Sequence, residues 1–318
     1  MPERSTAVLP VAVAVAVAGY RAWRAWMVEQ AFESRVPGPR NAQGVIAGAE
    51  GFTLKGSSDR AIVLLHGYND SPQAMRSPAA ALHAAGWTVH VPLLPGHGRS
   101  LRAFADSGAD RWINAARDVV REALERHRHV AVGGLSMGGA IATIVAAEQP
   151  AVRAAVLFAP FFVYSARLGA IAASWPLLTL FTKYLTGRGS ARSVRDPAAR
   201  AGLIAYGCST PHLMREIQRV VRAAREALPH VKQPVWIAQS SDDYRIPVAQ
   251  AQAAFDLLGS ADKHLHWTTG NGHVITVDYG HQELSVEAVR WIDSRVPTGV
   301  AASRPAARFQ QTPQRPAF

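Results

Sequence analysis

One serine stands in a glycine-rich stretch near the middle of the sequence. The segment VAVGGLSMGGAIA covers residues 130–142 and contains the pattern Gly-x-Ser-x-Gly around Ser136. Between a strand and a helix this pattern predicts a tight turn, because glycines two residues before and after the serine remove clashes with neighbouring chain. The hydroxyl then stands at the N-terminus of a helix, where negative charge is favoured. We therefore predict that Ser136 is a nucleophile; the alternative is a glycine-rich turn with an incidental serine.

A serine hydroxyl of ordinary acidity needs a base that an acid holds in place. His273 ends the run Gly-Asn-Gly-His, which comes directly after the predicted strand KHLHWTT at 263–269. We predict that His273 is this base. His281 is the lesser candidate, whereas His264 and His266 fall within the strand itself and are interpreted as surface or packing residues.

The acid is expected just after the preceding predicted strand, PVWIAQ, at 234–239. Asp242 and Asp243 both lie there. The run Asp-Tyr-Arg-Ile-Pro, which begins at the second of them, favours Asp243, whose carboxylate would accept a hydrogen bond from the imidazole and fix its tautomer. Asp242 would then be a loop residue or would support the site indirectly.

An attacked carbonyl also needs two backbone N–H groups that stabilise its developing oxyanion. One is expected from Met137, the residue after the nucleophile. The other should come from the loop after the predicted strand AIVLLHG at 61–67, where the amide of Tyr68 is the natural partner. His66 lies at the same place, and we interpret it as a residue that shapes the loop and not as a second catalytic histidine.

These residues must be positioned by the elements around them, and the chain alternates strand and helix signals from residue 51 onward. Strands are predicted at 61–67, 87–98, 129–134, 151–160, 234–239 and 263–269, and helices at 71–86, 109–129, 136–149, 213–228 and 285–296. Alternation of this length predicts an α/β fold, in which a mostly parallel central sheet is covered by helices on both faces.

An apolar, aromatic and helical stretch interrupts the alternation at about 161–210. We interpret this stretch as a helical cap above the C-terminal edge of the sheet, inserted in a domain expected at 50–296. Its aromatic side chains could line an acyl channel, since ligand sites are mostly apolar, or could belong to the core of the cap. The substrate-binding candidates are Phe161, Phe162 and Trp175. The tail at 297–318, rich in proline, alanine, glutamine and arginine, is predicted to be disordered.

The first 30 residues form a separate apolar segment. Residues 7–20 carry no charge, but these 14 residues fall short of the roughly 17–25 that a spanning helix needs. Ala16-Val17-Ala18 resembles a signal-peptidase site, whereas the arginines and tryptophans that follow are typical of a membrane interface. These residues are Arg21, Trp23, Arg24 and Trp26. We favour membrane association through this segment; the alternatives are a cleaved signal in a secreted or periplasmic protein and a loosely packed helix in a cytoplasmic one.

The charge distribution and the cysteine count bear on which partners, disulfides and metal sites the protein can have. Of the net charge of +11, an excess of eight lies between Arg167 and Lys232, where eleven basic residues accompany three acidic ones. Such a region could meet an anionic membrane surface or nucleic acid, or could be a solvated arginine-rich surface. No nucleic-acid-binding signature accompanies it, so no specific nucleic acid is expected. Cys208 is the only cysteine, which excludes an intramolecular disulfide, and no CxxC or HExxH pattern supports a metal site.

Taken together, the motifs resemble those of the α/β-hydrolase superfamily, and more closely those of bacterial carboxylesterases and monoacylglycerol lipases. LLHGYND, LLPGHGRS, GLSMGG, SSDDYRIP and GHVITVD occur in the order and places typical of that family, over about residues 50–296. The resemblance implies cofactor-free hydrolysis of carboxylic esters through an acyl-serine intermediate. The residues it implies are Ser136, Asp243 and His273 for the triad and the amides of Tyr68 and Met137 for the oxyanion hole.

The resemblance also implies a small acyl ester as substrate, such as a monoacylglycerol or a short-to-medium acyl ester. The acyl length stays open, because the inserted region matches no cap of the family that can be aligned. A thioesterase or another acyl hydrolase of the same fold is one alternative. A catalytically silent binding protein at the membrane is the other, and a covalent probe for active serines separates it from an enzyme.

Overall fold

A seven-stranded sheet lies at the centre of the protein in the computed structural model, which describes residues 8–36, 38–163, 166–187, 190–296 and 298. In chain order, the strands are β1 (Phe52–Leu54), β2 (Arg60–Leu65), β3 (Thr88–Val91), β4 (His129–Leu135), β5 (Val152–Phe158), β6 (Leu185–Thr186), β7 (Cys208–Ser209), β8 (Val235–Ser240) and β9 (Lys263–Thr268). The order across the central sheet is β1-β3-β2-β4-β5-β8-β9. Its strands run parallel except β1, which is antiparallel to β3. Strands β6 and β7 form a separate antiparallel pair.

Helices cover both faces of this sheet. In chain order, they are α1 (Val8–Arg35), α2 (Arg76–Ala84), α3 (Leu101–Ala105), α4 (Ala109–Arg126), α5 (Met137–Glu148), α6 (Ala166–Ala173), α7 (Trp175–Phe181), α8 (Ser190–Ser193), α9 (Pro197–Gly202), α10 (Pro211–Ala227), α11 (Val248–Leu257) and α12 (His281–Asp293). Short 3-10 turns precede α2 and follow α10. The mostly parallel sheet with helices on both faces confirms the predicted α/β class.

Strand β2 shows how one apolar run serves two cores. Ala61, Val63 and Leu65 pack in the core that also includes residues of α4, α5 and α10. Ile62 and Leu64 pack in the core that includes residues of α2 and α12. Every one of these side chains is fully buried, as alternate residues of a central parallel strand must be when helices cover both faces.

Several element boundaries differ from the predicted ones for identifiable reasons. The strand predicted at 87–98 ends at Val91, because Pro92 and Pro95 have no N–H to donate to a neighbouring strand. The helix predicted at 285–296 begins earlier, at His281, after Gly280 with its left-handed φ of +76°. The sequence pattern does not predict β1, α3 or α11, which are short or lack a clear apolar period.

The stretch predicted as a cap leaves the sheet after β5 and contains helices α6 to α9 and the strand pair β6–β7. Helix α10 joins this stretch to the body of the protein, since it packs against α5 on one side and against α6 and α7 on another. Of the tail at 297–318, only Thr298 belongs to the described residues, so the predicted disorder lies outside them.

The N-terminal helix α1 is longer than the apolar segment with which it begins. Its second half packs on the body of the protein: Phe32 is only 3% exposed and stacks on Tyr206 at 5.3 Å between ring centroids. Arg35 donates to the carbonyls of Ala205 and Tyr206. Glu29 accepts hydrogen bonds from Arg102, Lys183 and Tyr184. In the part of the chain that the structure describes, no helix has the length and apolar character required to cross a bilayer.

Candidate active site

Ser136 occupies the turn between β4 and α5 in a strained backbone conformation. Its φ is +55° and its ψ is −114°, a region that costs a non-glycine residue about 1–3 kcal/mol. The amide of Ser136 donates to the carbonyl of Phe158 at 2.9 Å, and its carbonyl accepts from the amides of Ala140 and Phe161, each at 3.0 Å. These bonds hold the strained turn from both sides, and the turn presents the hydroxyl at the beginning of α5.

Two glycines make the turn possible through close approach of backbone. A Cβ atom at Gly138 would lie 2.2 Å from the carbonyl oxygen of Leu65, and one at Gly134 would lie 2.5 Å from the carbonyl carbon of Gly138. Both contacts are with backbone atoms, which cannot rotate away as a side chain can. This is the clash that the Gly-x-Ser-x-Gly pattern predicts at these two positions.

Three loops bring the predicted triad side chains together. Nε2 of His273 lies 2.8 Å from Oγ of Ser136, and Nδ1 lies 2.7 Å from Oδ2 of Asp243. Because an ionised carboxylate only accepts, Nδ1 carries the proton and Nε2 is free to accept that of the serine hydroxyl. The three residues are 8%, 5% and 6% exposed in the order Ser136, His273, Asp243. This arrangement of hydroxyl, base and orienting acid can activate a serine for attack.

The surroundings of Asp243 favour its ionised form. Burial raises the pKa of this carboxyl, but the charge and hydrogen bond of His273 outweigh it together with other donors, so the pKa lies below its ordinary value. Gln239 donates to Oδ2 at 3.0 Å, and the amides of Arg245 and Ile246 donate to Oδ1 at 2.7 and 3.2 Å. The carboxylate therefore stays charged and fixed in orientation.

The carboxylate of Asp242 contacts the residues that begin the loop of His273 and not the imidazole itself. Its Oδ2 accepts from the amide of Gly270 at 2.7 Å and from Oγ1 of Thr269 at 3.2 Å, and it lies 3.5 Å from Nη1 of Arg195. The Gly270 amide, helped by Thr269, lowers the pKa of the Asp242 carboxyl. Asp242 thus contacts the beginning of the loop that carries His273.

Two buried histidines shape the loop that follows β2. His66 donates from Nδ1 to the carbonyl of Gly67 at 2.9 Å, and its Nε2 accepts from the amide of Leu94 at 3.1 Å. His97 donates from Nε2 to the carbonyl of Tyr68 at 2.8 Å. Burial lowers the pKa of His66 well below its ordinary value and that of His97 to about 4, so both rings are neutral at neutral pH.

The two amides predicted for an oxyanion hole belong to the first residue of α5 and to the loop that follows β2. Met137 is the first residue of α5, and amides in the first turn of a helix have no acceptor within the helix. A Cβ atom at Gly67 would lie 3.6 Å from Cβ of Ser136, so the loop that carries Tyr68 runs beside the serine. The Tyr68 hydroxyl lies 2.6 Å from Oγ of Ser209, which fixes the ring from the cap side.

The other candidate histidines lie away from Ser136. His264 and His266 are on the edge strand β9, with ring centroids 6.5 Å apart. His281 begins α12, and its Nδ1 lies 2.8 Å from Oγ of Ser77. None of these contacts of His264, His266 and His281 involves Ser136, whereas His273 lies within hydrogen-bond distance of its hydroxyl. This difference favours His273 as the base.

The three aromatic candidates have different surroundings. The ring of Phe161 is half-buried and lies edge-on to the His273 imidazole, at 6.4 Å between centroids. Phe162 is 4% exposed and belongs to the core. Trp175, at the beginning of α7, lies against His212 and Arg215 of α10. Contact with the imidazole makes Phe161 the best placed of the three to touch a substrate.

Two acidic residues near the site have no role in the sequence analysis, although each lies in a motif quoted there. Asp70 ends LLHGYND, and Asp278 ends GHVITVD. Burial raises the pKa of the Asp70 carboxyl, although the charges of His273 and Arg245 oppose this rise. Asp278 is completely buried beside the loop of His273. A single sequence gives no signal for either, since acidic residues in loops are usually solvated.

A comparison with known families fits this geometry. Residues 56–279 match the family described as serine aminopeptidase, S33. The chain belongs to this family. The matched range includes Ser136, Asp243, His273 and the loop after β2, and the match confirms the predicted resemblance to the α/β-hydrolases.

Relatives of this S33 protein include ester hydrolases. The thermostable monoacylglycerol lipase of Bacillus sp. (strain H-257) is 26% identical over 74% of this chain and 90% of its own length. The carboxylesterase of Bacillus subtilis (strain 168) is 23% identical over 71% of this chain and 89% of its own length. Among solved structures, one from a study of two metagenome-derived lipolytic enzymes, LipS and LipT, is 28% identical over 79% of this chain and 99% of its own, with a TM-score of 0.71. The monoacylglycerol lipase of Paleococcus ferrophilus shares the fold, with a TM-score of 0.68 at 20% identity over 77% of this chain and 98% of its own.

Proposed function

We propose that this S33 protein is a serine esterase that cleaves monoacylglycerols or other short-to-medium acyl esters through an acyl-serine intermediate. The observation that carries the proposal is the unbroken relay from Ser136 through His273 to Asp243, with heavy-atom distances of 2.8 and 2.7 Å. Chains of this kind convert a weakly acidic hydroxyl into a nucleophile. The names of the lipase and carboxylesterase relatives support an ester as substrate.

The proposed reaction has two halves that use the same groups. Nε2 of His273 takes the hydroxyl proton as Oγ of Ser136 attacks the ester carbonyl, while Asp243 stabilises the imidazolium. The amides of Tyr68 and Met137 donate to the tetrahedral oxyanion. The imidazolium then protonates the leaving alcohol, and acyl-Ser136 remains. Water, deprotonated by the same nitrogen, attacks this acyl-enzyme to give a second tetrahedral intermediate. Its collapse releases the acid, and the imidazolium returns its proton to Oγ of Ser136.

A fluorophosphonate probe tests the nucleophile directly. We expect covalent labelling of Ser136 in the wild-type protein and none in Ser136→Ala, which should also lose hydrolysis of p-nitrophenyl butyrate by about 10⁴- to 10⁶-fold. Circular dichroism must show that the variant is folded. Full turnover by the folded variant would refute the assignment, and a folded wild-type protein without labelling would favour the silent binding protein.

The substrate class needs a separate measurement. We expect the ratio kcat/KM to be highest for monoacylglycerols or for p-nitrophenyl esters of short-to-medium acyl chains in a series from acetate to palmitate. An acyl-CoA thioester and an aminoacyl p-nitroanilide belong in the same series, since thioesterases and peptidases use the same triad. A higher ratio for either of these would replace the esterase proposal with that activity.

We further propose that the protein attaches to an anionic lipid surface through α1 and α7. These helices contact each other, and both expose large apolar side chains to solvent. The most exposed of these, each with at least 55% of its surface accessible, are Val11, Val13, Val15, Tyr20, Leu177, Leu180 and Phe181. The excess of positive charge between Arg167 and Lys232 suits an anionic membrane. Such a location would bring an esterase to lipid esters.

Co-sedimentation with lipid vesicles tests the attachment. We expect the protein to pellet with phosphatidylcholine vesicles that contain phosphatidylglycerol, and to bind less after the triple change Leu177→Ser, Leu180→Ser, Phe181→Ser. The matched control is the double change Val248→Ser, Leu257→Ser on α11, where the side chains are 46% and 45% exposed. Unchanged binding of the triple variant, or equal loss in the control, would refute attachment through α7.

A further inference from the structure

The segment GHVITVD ends in a carboxylate that the proposed reaction does not use. Asp278 has no exposed surface, and its two oxygens accept four backbone hydrogen bonds. Oδ2 accepts from the amides of Gly272 at 2.7 Å and Arg195 at 2.8 Å. Oδ1 accepts from the amides of Asp196 and Tyr279, each at 2.9 Å. One buried carboxyl group therefore joins the loop of His273 to residues 195 and 196 of the stretch predicted as a cap.

The same two segments also touch directly. The amide of Val274 donates to the carbonyl of Ser193 at 2.9 Å. A Cβ atom at Gly272 would lie 2.6 Å from that carbonyl oxygen, so the cap segment rests on the loop without room for a side chain between them. The two residues that flank His273 are thus both held by hydrogen bonds: Gly272 donates to Asp278, and Val274 donates to Ser193.

We propose that Asp278 is a positioning residue: its carboxylate holds the loop of His273 against cap residues 193–196 and so keeps the imidazole in line between Asp243 and Ser136. The inference rests on the proposed function, because Asp278 acts only through His273. Its own contacts are with backbone amides. Positioning matters because a displacement of about 1 Å at a reacting group can cost about 10²-fold in rate.

Asp278→Asn tests this role with little change of shape. Each oxygen of Asp278 faces two N–H donors, so an amide NH₂ in either place would oppose two donors instead of accepting from them. We expect kcat for p-nitrophenyl butyrate to fall by about 10²-fold, with KM changed by less than about threefold. Fluorophosphonate titration of active sites corrects these values for any unfolded fraction.

The control is a second carboxylate whose loss destabilises the protein at the other end of the sheet. Asp293 accepts from Nη1 of buried Arg60 at 2.7 Å and from Nε1 of Trp87 at 2.8 Å. Arg60 begins β2, whereas Ser136 follows the end of β4. We expect Asp293→Asn to lower the midpoint of thermal unfolding and to leave kcat per titrated site unchanged. A loss of kcat in both variants would mean that Asp278 acts through general stability and would overturn the proposal.

A spectroscopic measurement reports the imidazole itself. The proton between Nδ1 of His273 and Asp243 should give a low-field proton resonance in wild-type protein and in Asp293→Asn. In Asp278→Asn we expect it to move upfield or to be lost through exchange with water. An unchanged resonance together with unchanged kcat would overturn the positioning role, whereas the proposed esterase would stand as long as Ser136→Ala is inactive.

A second variant decides the matter if Asp278→Asn does not fold. Gly272→Ala leaves the carboxylate in place but forces the loop and the cap segment apart, because its Cβ would overlap the Ser193 carbonyl. We expect a loss of kcat per titrated site with little change in KM. Full kcat in this variant would show that the contact between loop and cap is dispensable and would overturn the proposal.

Discussion

Asp242 and Asp243 are neighbours in the chain, but their carboxylates hold different parts of the loop that carries His273. Asp243 lies 2.7 Å from Nδ1 of the imidazole. Asp242 accepts from the amide of Gly270, three residues before the histidine, at 2.7 Å. One aspartate therefore contacts the proposed base, whereas the other contacts Gly270 and Thr269, which precede it in the loop.

This difference predicts unequal effects of the two Asp→Asn changes. Asp243→Asn should lower kcat for p-nitrophenyl butyrate by about 10⁴-fold, because an amide in place of the carboxylate favours the wrong imidazole tautomer. Asp242→Asn should lower it by less than about tenfold, since it removes only one brace of a loop that is also held elsewhere. Steady-state kinetics on the two purified variants, normalised by active-site titration, checks this. A larger loss at Asp242 would show that the roles are reversed.

Alanine should have opposite effects on stability at Gly138, which is crowded in the turn at Ser136, and at Gly19, which lies in open space on α1. Gly138→Ala should lower the free energy of unfolding by about 1–3 kcal/mol, because its Cβ would overlap the backbone of Leu65. Gly19→Ala should raise the free energy slightly, by at most about 1 kcal/mol, since Gly19 lies within α1 and nothing is within 4 Å of its added Cβ. Urea unfolding followed by circular dichroism measures both. Equal stability of the two variants would contradict the proposed close approach.

Helix α1 predicts a contrast between a buried and an exposed side chain. Phe32→Ala should cost about 3–5 kcal/mol of unfolding free energy, because the ring is 3% exposed and packs on Tyr206. Trp23→Ala should change it by less than about 0.5 kcal/mol, since this side chain is 53% exposed. Thermal unfolding of both variants tests the contrast. A small effect at Phe32 would mean that α1 is not part of the folded body.

The lowered pKa of Glu29 predicts that the protein loses stability in acid. Burial raises the pKa of this carboxyl, but hydrogen bonds from Arg102, Tyr184 and Lys183 lower it to about 2, from an ordinary value of 4.5. Because the pKa is lower in the folded state, the stabilisation is complete above about pH 4.5 and is lost as the pH falls towards about 2.

The urea midpoint of Glu29→Gln should therefore lie below that of the wild-type protein at about pH 7, and the difference should shrink at about pH 3. The control is Glu33→Gln, which removes an exposed pair with Arg40 on the same helix and should have a small effect. A difference between wild type and Glu29→Gln that stays constant over this range would contradict the assigned linkage.

Much of the site was predictable because its residues lie at the ends of strands. Parallel strands β4, β8 and β9 end at the same edge of the sheet, so loops that follow them must meet there. The motif around Ser136, the aspartates after β8 and the glycine-rich loop after β9 are local patterns that need no tertiary information. The strained φ of Ser136 and the crowded glycines around it follow from the same local pattern.

Other features depended on contacts between distant residues, which a single sequence does not record. The cap was predicted only as a helical stretch, since short helices such as α8 and α9 are stabilised by packing more than by their own propensity. The acyl candidates Phe161 and Phe162 are adjacent in the chain, yet one ring faces His273 and the other lies in the core. Their separation is set by how the chain leaves β5, which has no signature in composition.

The sequence by itself determined the class of fold, the tight turn at Ser136 and the order of the candidate triad, because strand ends and glycine turns are local consequences of residue type. Only the tertiary structure decided that Asp242 contacts the beginning of the His273 loop, that the second half of α1 packs on the body, and that Asp278 joins the loop of His273 to residues 195 and 196. Each of these is a contact between segments tens to hundreds of residues apart and is fixed only when packing brings the segments together.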